Sequence, residues 1–309
     1  MSVDHYENFP VASLLLPGPL RQPVAVLYRF ARNADDFADE GERSPAERLA
    51  LLEGYRQQLR RLDATDGAAT AAPSLSAPLA APGAAPGATP GITPGIAPAP
   101  DAALFQALAQ LVRQYQLPLQ ALHDLLDAFS QDVSTDRYPD FATLLHYCQR
   151  SAAPVGRLML QLFRHTGIGM DDRSLQRSDD ICCALQLINF WQDIASDLQQ
   201  RNRIYLPQDD LQRFGVSEAQ LRAGDCGGGF RALMAFQVGR SRQMMLAGAP
   251  LAPSLPGRIG LEIRSVVQGG LRILEKIERV DYDIFRHRPV LGALDWPVLL
   301  WRALRMAQA

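Results

Sequence analysis

The chain is poor in the features that would assign it quickly. It has four cysteines in 309 residues, and Cys148, Cys182, Cys183 and Cys226 form no C-x-x-C pair. A disulfide framework and a zinc ribbon are therefore not expected, and a reducing cytoplasm is the simplest compartment. Net charge is only −2, which gives no electrostatic case for a nucleic-acid partner. The first nine residues lack the basic and apolar segments of an export signal. No glycine-rich dinucleotide fingerprint is present, so no NADPH is expected. Alternating strand patterns bounded by tight turns are essentially missing. The one long uncharged run, Gly67 to Pro100, cannot span a membrane. Pro78, Pro82, Pro86, Pro90, Pro94 and Pro98 recur every four residues, and four of them precede glycine. Residues 64–100 read as a disordered loop insertion without an assigned function.

What remains is helical. Hydrophobic content of 47% against 21% charged residues suits a sizeable core. Leu104, Leu108, Leu111, Val112 and Tyr115 follow the helical period, with Asp101 placed to cap. Further helices are expected over 117–130, over 141–163 with a kink at Pro154, and over 178–197 behind a Ser-Asp-Asp cap. Three more are expected over 230–246, 260–285 and 296–307. The expected fold is one all-α domain over residues 1–309, of roughly eight to ten helices.

Two aspartate pairs carry the chemistry. Asp35 and Asp39 lie in one apolar helical stretch, and Asp193 and Asp197 lie in another. Residues four apart share a helix face, so each pair projects two carboxylates side by side. Like charges so placed repel, which argues for a cation between them. Carboxylates on facing helices beside an apolar cavity suit Mg²⁺, which takes oxygen ligands and keeps room for substrate phosphates. The metal would neutralise a diphosphate leaving group, and the apolar cavity would shield the carbocation left behind. Arg32 is placed for a bidentate grip on phosphate, and Asn189 extends the ridge of Asp193 and Asp197. Gln186, Arg203 and Tyr205 are further candidates for the diphosphate. Asp36 and Glu40 form a second pair in the first motif and leave its register open. Asp132 and Asp136 have the same spacing and are given no role. His123, His146, His165 and His287 show no ligand spacing.

Three segments resemble the squalene/phytoene synthase family of all-α isoprenoid synthases. They are Asp-Asp-Phe-Ala-Asp (35–39), Tyr-Cys-Gln-Arg-Ser-Ala-Ala-Pro-Val-Gly (147–156) and Leu-Gln-Leu-Ile-Asn-Phe-Trp-Gln-Asp-Ile-Ala-Ser-Asp (185–197). The resemblance covers nearly the whole chain outside 64–100 and implies a helical bundle around a central cavity. Residues 5–13, 189–193 and 267–274 look like the branch that forms hydroxysqualene in bacterial hopanoid pathways. Gln192, where many relatives carry a basic residue, agrees with that branch. The resemblance implies that Asp35, Asp39, Asn189, Asp193 and Asp197 hold Mg²⁺ ions bridged by diphosphate. It implies substrate contacts from His5, Asn8, Tyr28, Arg32, Tyr147, Gln186, Arg203 and Tyr205, with Arg201 a rival to Arg203. Val155 and Gly156 would lie where a helix breaks beside the prenyl chain. The substrate implied is presqualene diphosphate, ionised, rearranged and captured by water. The alternatives are condensation of two prenyl diphosphates to presqualene diphosphate, squalene or phytoene, and a non-catalytic scaffold role within the family. An insoluble C30 product argues for peripheral contact at the inner face of the membrane and handover to other squalene-pathway enzymes. No segment stands out as an amphipathic membrane helix.

Overall fold

The structure, a computed structural model, describes residues 16–69, 101–165, 167, 169 and 171–306. Among these are thirteen helices and no strand. α1 (Gly18–Asp39) and α2 (Pro45–Ala69) precede α3 (Ala102–Tyr115), α4 (Leu119–Asp132), α5 (Phe141–Ser151) and α6 (Ala153–Arg164). The long α7 (Asp172–Arg201) is followed by short α8 (Gln208–Arg213) and α9 (Glu218–Arg222). The chain then forms α10 (Phe230–Gly248), α11 (Leu251–Ser254), α12 (Gly257–Arg279) and α13 (Asp295–Arg305).

Local chemistry sets the boundaries. Asp101 caps α3 by accepting from the Leu104 amide at 3.1 Å, as its position predicts. Asp140 caps α5 through the Thr143 amide at 2.7 Å. The expected helix over 141–163 is two helices. The chain leaves helical geometry at Ala152 (φ −122°), and Pro154 sits in the first turn of α6, where its missing N–H costs nothing. The helix expected from Ser178 starts a turn and a half earlier. Asp171 accepts from the amide and hydroxyl of Ser174 at 2.8 and 2.6 Å and is the true cap. Residues 64–69, assigned from composition to the insertion, continue α2; residues 70–100 lie outside the described residues.

α7 is the central helix. Ile181, Ala184, Leu187, Ile188, Trp191, Ile194 and Leu198 are buried on one broad face, and Ser178, Cys183, Phe190, Gln192 and Asp197 extend burial round most of its circumference. Such a helix needs neighbours on most sides. Trp191 donates to Ser241 Oγ of α10 at 2.7 Å in the core. α12 reaches α7 through Gly270, where an added Cβ would stand 2.7 Å from Met245 and 3.2 Å from Leu185. α1 packs on α2, α3 and α4 through Leu20, Val24, Leu27, Phe30, Ala34 and Ala38. One buried cluster extends from Leu16 to Ile284.

α6 approaches α7 at Gly156. A Cβ there would stand 2.4 Å from Ser178 Oγ and 2.6 Å from Cys182 Sγ. Alanine favours a helix over glycine by about 1 kcal/mol, but overpacking costs about 1–3 kcal/mol. The clash should win, because both neighbouring atoms sit one bond beyond their own Cβ. Gly156→Ala is expected to lower the midpoint of chemical unfolding. In a Ser178→Ala/Cys182→Ala background the same change should be neutral or stabilising. An equal loss in both backgrounds would show that the close approach is not what selects glycine.

Candidate active site

The site forms where the C-terminal halves of α1 and α7 come together. Tyr28, Arg32, Asp35 and Asp39 climb one side of α1 at helical spacing. Gln186, Asn189, Asp193 and Asp197 climb α7 in the same way. α7 ends at Asn202, which adopts left-handed geometry (φ 54°) and returns its amide toward Asp197 O. The chain then turns sharply. The Arg203 amide donates to Asp197 O at 3.1 Å, and the Ile204 amide donates to Asp136 O at 3.0 Å. That turn brings Arg203 back over the end of α1.

Arg203 is buried and grips Asp39 with two nitrogens, at 2.6 and 3.2 Å. It also donates to the Asp132 carbonyl at 2.8 Å. Arg201 spans the two motifs, with Nε 3.2 Å from Asp39 Oδ2 and a terminal nitrogen 3.6 Å from Asp197 Oδ1. Arg201 and Arg203 are therefore both at the site and not rivals. The two carboxylate pairs of the first motif end on different arginines. Asp39 turns toward Arg203, whereas Asp36 and Glu40 each lie 2.8 Å from Arg32. Arg32 is 3.4 Å from Asp35.

Burial and mutual repulsion act on these carboxyls. Partial burial, reinforced by Asp39, raises Asp35 to about 6 against the lowering pull of Arg32 and Arg201. Burial, reinforced by Asp193, raises Asp197 to about 7. Both hold their protons to higher pH than an ordinary carboxyl, because burial outweighs the positive charge nearby.

Below the carboxylates lies an aromatic floor. Tyr205 stacks on Phe190 with centroids 3.6 Å apart, and Tyr138 and Tyr147 lie within 5.7 and 6.2 Å of Tyr205. Tyr147 and Tyr205, both candidates for substrate contact, are thus brought together. Gln186 is half-buried and Asn189 exposed on the α7 ridge. The helix breaks at Ala152 and not at Val155 and Gly156, because Pro154 sits in the first turn of α6: both residues lie within α6, Val155 exposed and Gly156 at the contact with α7. His5 and Asn8 lie outside the described residues.

Two residues escaped the sequence reading. Arg288, 95 positions after Asp193, binds it with two nitrogens at 2.5 and 3.1 Å. The buried Gln192 steadies that segment by donating to Pro289 O at 2.6 Å. No helical spacing links Arg288 to the motif; an Arg-His-Arg-Pro run was its only signal. The second is Asp132, to which its spacing from Asp136 assigns no role. α4 ends at Asp132, so Asp136 is not on its helix, and Asp132 turns inward while Asp136 stays exposed. Asp132 accepts from the Tyr147 hydroxyl at 2.8 Å, and its other oxygen has no hydrogen-bond partner among the described residues. Burial first, then the charges of Asp39 and Asp35, raise it to about 7 despite Arg203 and Tyr147.

The comparisons bear on this geometry. The squalene/phytoene synthase model matches residues 3–295. The chain belongs to the squalene/phytoene synthase family. It is a prenyl diphosphate-processing enzyme by that membership. It is 34% identical over 224 residues to the hydroxysqualene synthase of Zymomonas mobilis, covering 72% of this chain and 60% of the relative. It is 31% identical to the hydroxysqualene synthase of Rhodopseudomonas palustris, over 89% of this chain and 80% of the relative. Among solved structures, squalene synthase HpnC from Alicyclobacillus acidocaldarius superposes with a TM-score of 0.71 at 31% identity, covering 90% of each chain. The all-α isoprenoid synthase fold expected from the sequence is the fold observed.

The sign of the pH effect follows from the raised carboxyls. A group with a folded pKa above its unfolded value holds its proton more tightly when folded. It therefore favours folding at low pH, and that advantage is lost as pH rises through the folded value. In chelator, stability should fall between about pH 4 and pH 7 as the unfolded and then the folded carboxyl of Asp132 ionises. Asp132→Asn should match the parent near pH 4 and exceed it by about 2–4 kcal/mol at pH 8. Denaturant midpoints at the two pH values test this. Parallel pH dependence in parent and variant would remove Asp132 as the source.

Proposed function

We propose that this protein converts presqualene diphosphate to hydroxysqualene and diphosphate. The observation that carries this reading is the meeting of two acidic helix ridges, with Arg201 bridging Asp39 and Asp197 above a buried aromatic floor. Diphosphate would lie at the charged rim and the prenyl chains among apolar and aromatic side chains.

The donor set suits a hard divalent cation: carboxylate oxygens, an amide oxygen, and carboxyls that burial keeps short of positive charge. Among the described residues no three acidic, histidine or cysteine side chains stand grouped as a ready metal site. The arginines account for this, since Asp39 and Asp193 each hold a bidentate guanidinium. Asp35, Asp39, Asn189, Asp193 and Asp197 would hold Mg²⁺, leaving Arg201, Arg203 and Arg288 to diphosphate oxygens. Mg²⁺ bound there supplies charge neutralisation for the departing diphosphate.

The chain's own residues do the rest. Arg32, Arg201, Arg203 and Arg288 stabilise the diphosphate as the carbon–oxygen bond breaks and the electron pair leaves with it. The cyclopropylcarbinyl cation rearranges over Phe190, Tyr147 and Tyr205, whose faces tolerate positive charge and exclude bulk water. Water then adds to the rearranged cation and releases one proton. No reductant enters this balance. The hydroxysqualene outcome is supported by the names and similarity of the two bacterial relatives and by Gln192, which spends its amide on Pro289 and brings no positive charge to the rim.

Incubation with presqualene diphosphate and Mg²⁺, without NADPH, should yield hydroxysqualene and one diphosphate. Asp193→Asn should lower kcat by about a hundredfold to a thousandfold while leaving the far-ultraviolet spectrum unchanged, since removing one key electrostatic contact costs ~10²–10³. Efficient turnover of farnesyl diphosphate alone would favour a condensing enzyme. An unaltered rate in Asp193→Asn would overturn catalysis at this site.

A further inference from the structure

The last described helix is polar where it should be apolar and apolar where it should be polar. α13 packs against α12 through ions. Asp295 is buried and bound by Arg272 at 2.8 Å and by Lys276, and Arg302 lies 2.6 Å from Glu275. Burial alone would raise the Asp295 carboxyl, but Lys276, the Gly292 amide and Arg272 hold it well below the ordinary range. Within α13 Leu299 and Ala303 add apolar burial to this seam, and Met306 at its end packs beside Gln268 of α12.

The outward face is the reverse. Trp296, Leu300 and Leu304 recur at four-residue spacing with 48%, 49% and 54% exposure, Trp301 is 54% exposed beside them, and Leu294 before the helix is 90% exposed. Of the ten large hydrophobic residues exposed among the described residues, six fall between Val290 and Leu304. Isolated exposed hydrophobic residues are ordinary, but a contiguous row marks a contact surface.

The chemistry of that row selects its partner. Two of the chain's three tryptophans are on it, and the indole is the side chain best suited to the boundary between water and hydrocarbon. No carboxylate lies among its exposed positions, because Asp295, the only acidic residue of α13, is turned inward and neutralised. The charge that the face does present is positive: Arg305 is exposed with its guanidinium 4.1 Å over the Trp301 ring, its stem along apolar surface and its head at the edge. Apolar rows edged by arginine complement an anionic lipid surface. At eleven residues α13 is about 16 Å long, too short to cross a bilayer of ~30 Å. Among the described residues no helix is long and apolar enough to span one.

We propose that the outward face of α13 docks the enzyme onto an anionic lipid bilayer, lying in the interface with Trp296, Leu300, Trp301 and Leu304 inserted and Arg305 on headgroup phosphate. The surface rests on its own geometry; its use in collecting a C30 substrate from the membrane rests on the proposed function. The two are tested separately.

The full chain is floated with vesicles of phosphatidylcholine plus phosphatidylglycerol, and with phosphatidylcholine alone. The protein should float with the anionic vesicles, with a blue shift of tryptophan emission. Trp296→Ser/Leu300→Gln/Trp301→Ser should bind at least about tenfold more weakly, since three interfacial side chains are lost. Arg305→Glu, which leaves the seam with α12 intact, should lose binding to anionic vesicles severalfold and change little on neutral ones. Both variants should process detergent-dispersed substrate at the parent rate. Failure of the parent to float, or equal flotation by both variants, overturns the proposal whatever the enzyme's activity. So does a parent dimer that the triple variant dissociates without any vesicle binding, which would assign the face to a second copy. Loss of turnover by the parent on dispersed presqualene diphosphate would instead overturn the functional reading and leave the lipid surface standing.

Discussion

The ends of α1 and α7 both carry carboxylates that repel one another, and what lets them meet is the pair of guanidiniums that flank the left-handed turn at Asn202. Arg201, on the last turn of α7, touches Asp39 and Asp197; Arg203, just past the turn, closes on Asp39 and on the Asp132 carbonyl. A helix that continued through Asn202 would leave Arg201 in place but carry Arg203 past the site. A residue without ready access to left-handed geometry would strain that stop. The fold around α7 is thus coupled to the acidic rim through one turn. Breaking a buried, hydrogen-bonded charge pair costs several kcal/mol because it strands the remaining charge. Asp39, with two arginine partners, is where that cost would concentrate.

The arginines also explain why the carboxylates do not gather around a single point. Each acidic ridge is neutralised by nearby cations: Arg32 at the start of the first ridge, Arg203 at its end, Arg288 on Asp193. These contacts are exchangeable in chemical terms. A divalent ion and a diphosphate together offer the same charges in the opposite pairing, cation to carboxylate and anion to guanidinium. Neutrality is preserved in both arrangements, so substrate need not expose a bare charge inside the protein. The raised carboxyls of Asp35 and Asp197 show that the arginines alone undercompensate. The aromatic floor meets charge at its edge, where Asp132, Arg203 and Asp197 all act on Tyr205, and burial raises the Asp132 carboxyl to about 7.

Much of this was legible in the sequence because it is carried by helical spacing. Asp35 with Asp39, and Asn189 with Asp193 and Asp197, follow from the 3.6-residue period once a helix is assumed. Pro154 announced a break, and Asp101 a cap. What spacing cannot reach is contact across loops. Arg288 meets Asp193 from 95 residues away in a segment without periodicity. Asp132 was misread for a related reason: i,i+4 pairing assumes that the helix continues, and α4 stops at that residue. The start of α7 was misplaced because Ser-Asp-Asp at 178–180 imitates a cap, although Ser178 is buried against Gly156 and Asp179 binds Arg157.

The helix of α13 is expected from the sequence over 296–307, but the face it turns outward is not. A sequence with Trp296, Leu299, Leu300, Ala303 and Leu304 reads as amphipathic with its large residues inward, since burial is their ordinary fate. The structure reverses this because α12 presents charge along its side of the seam. Arg272, Glu275 and Lys276 face α13, and they select Asp295 and Arg302 as the inward residues. A buried ionic seam contributes little net stability over a hydrophobic one. Its consequence is orientation: with the ions satisfied inward, rotation of α13 would bury Trp301 against Lys276 and leave Asp295 unpaired. The apolar face is therefore held outward by electrostatics, which ties the surface a membrane would meet to the helix that packs against the catalytic core.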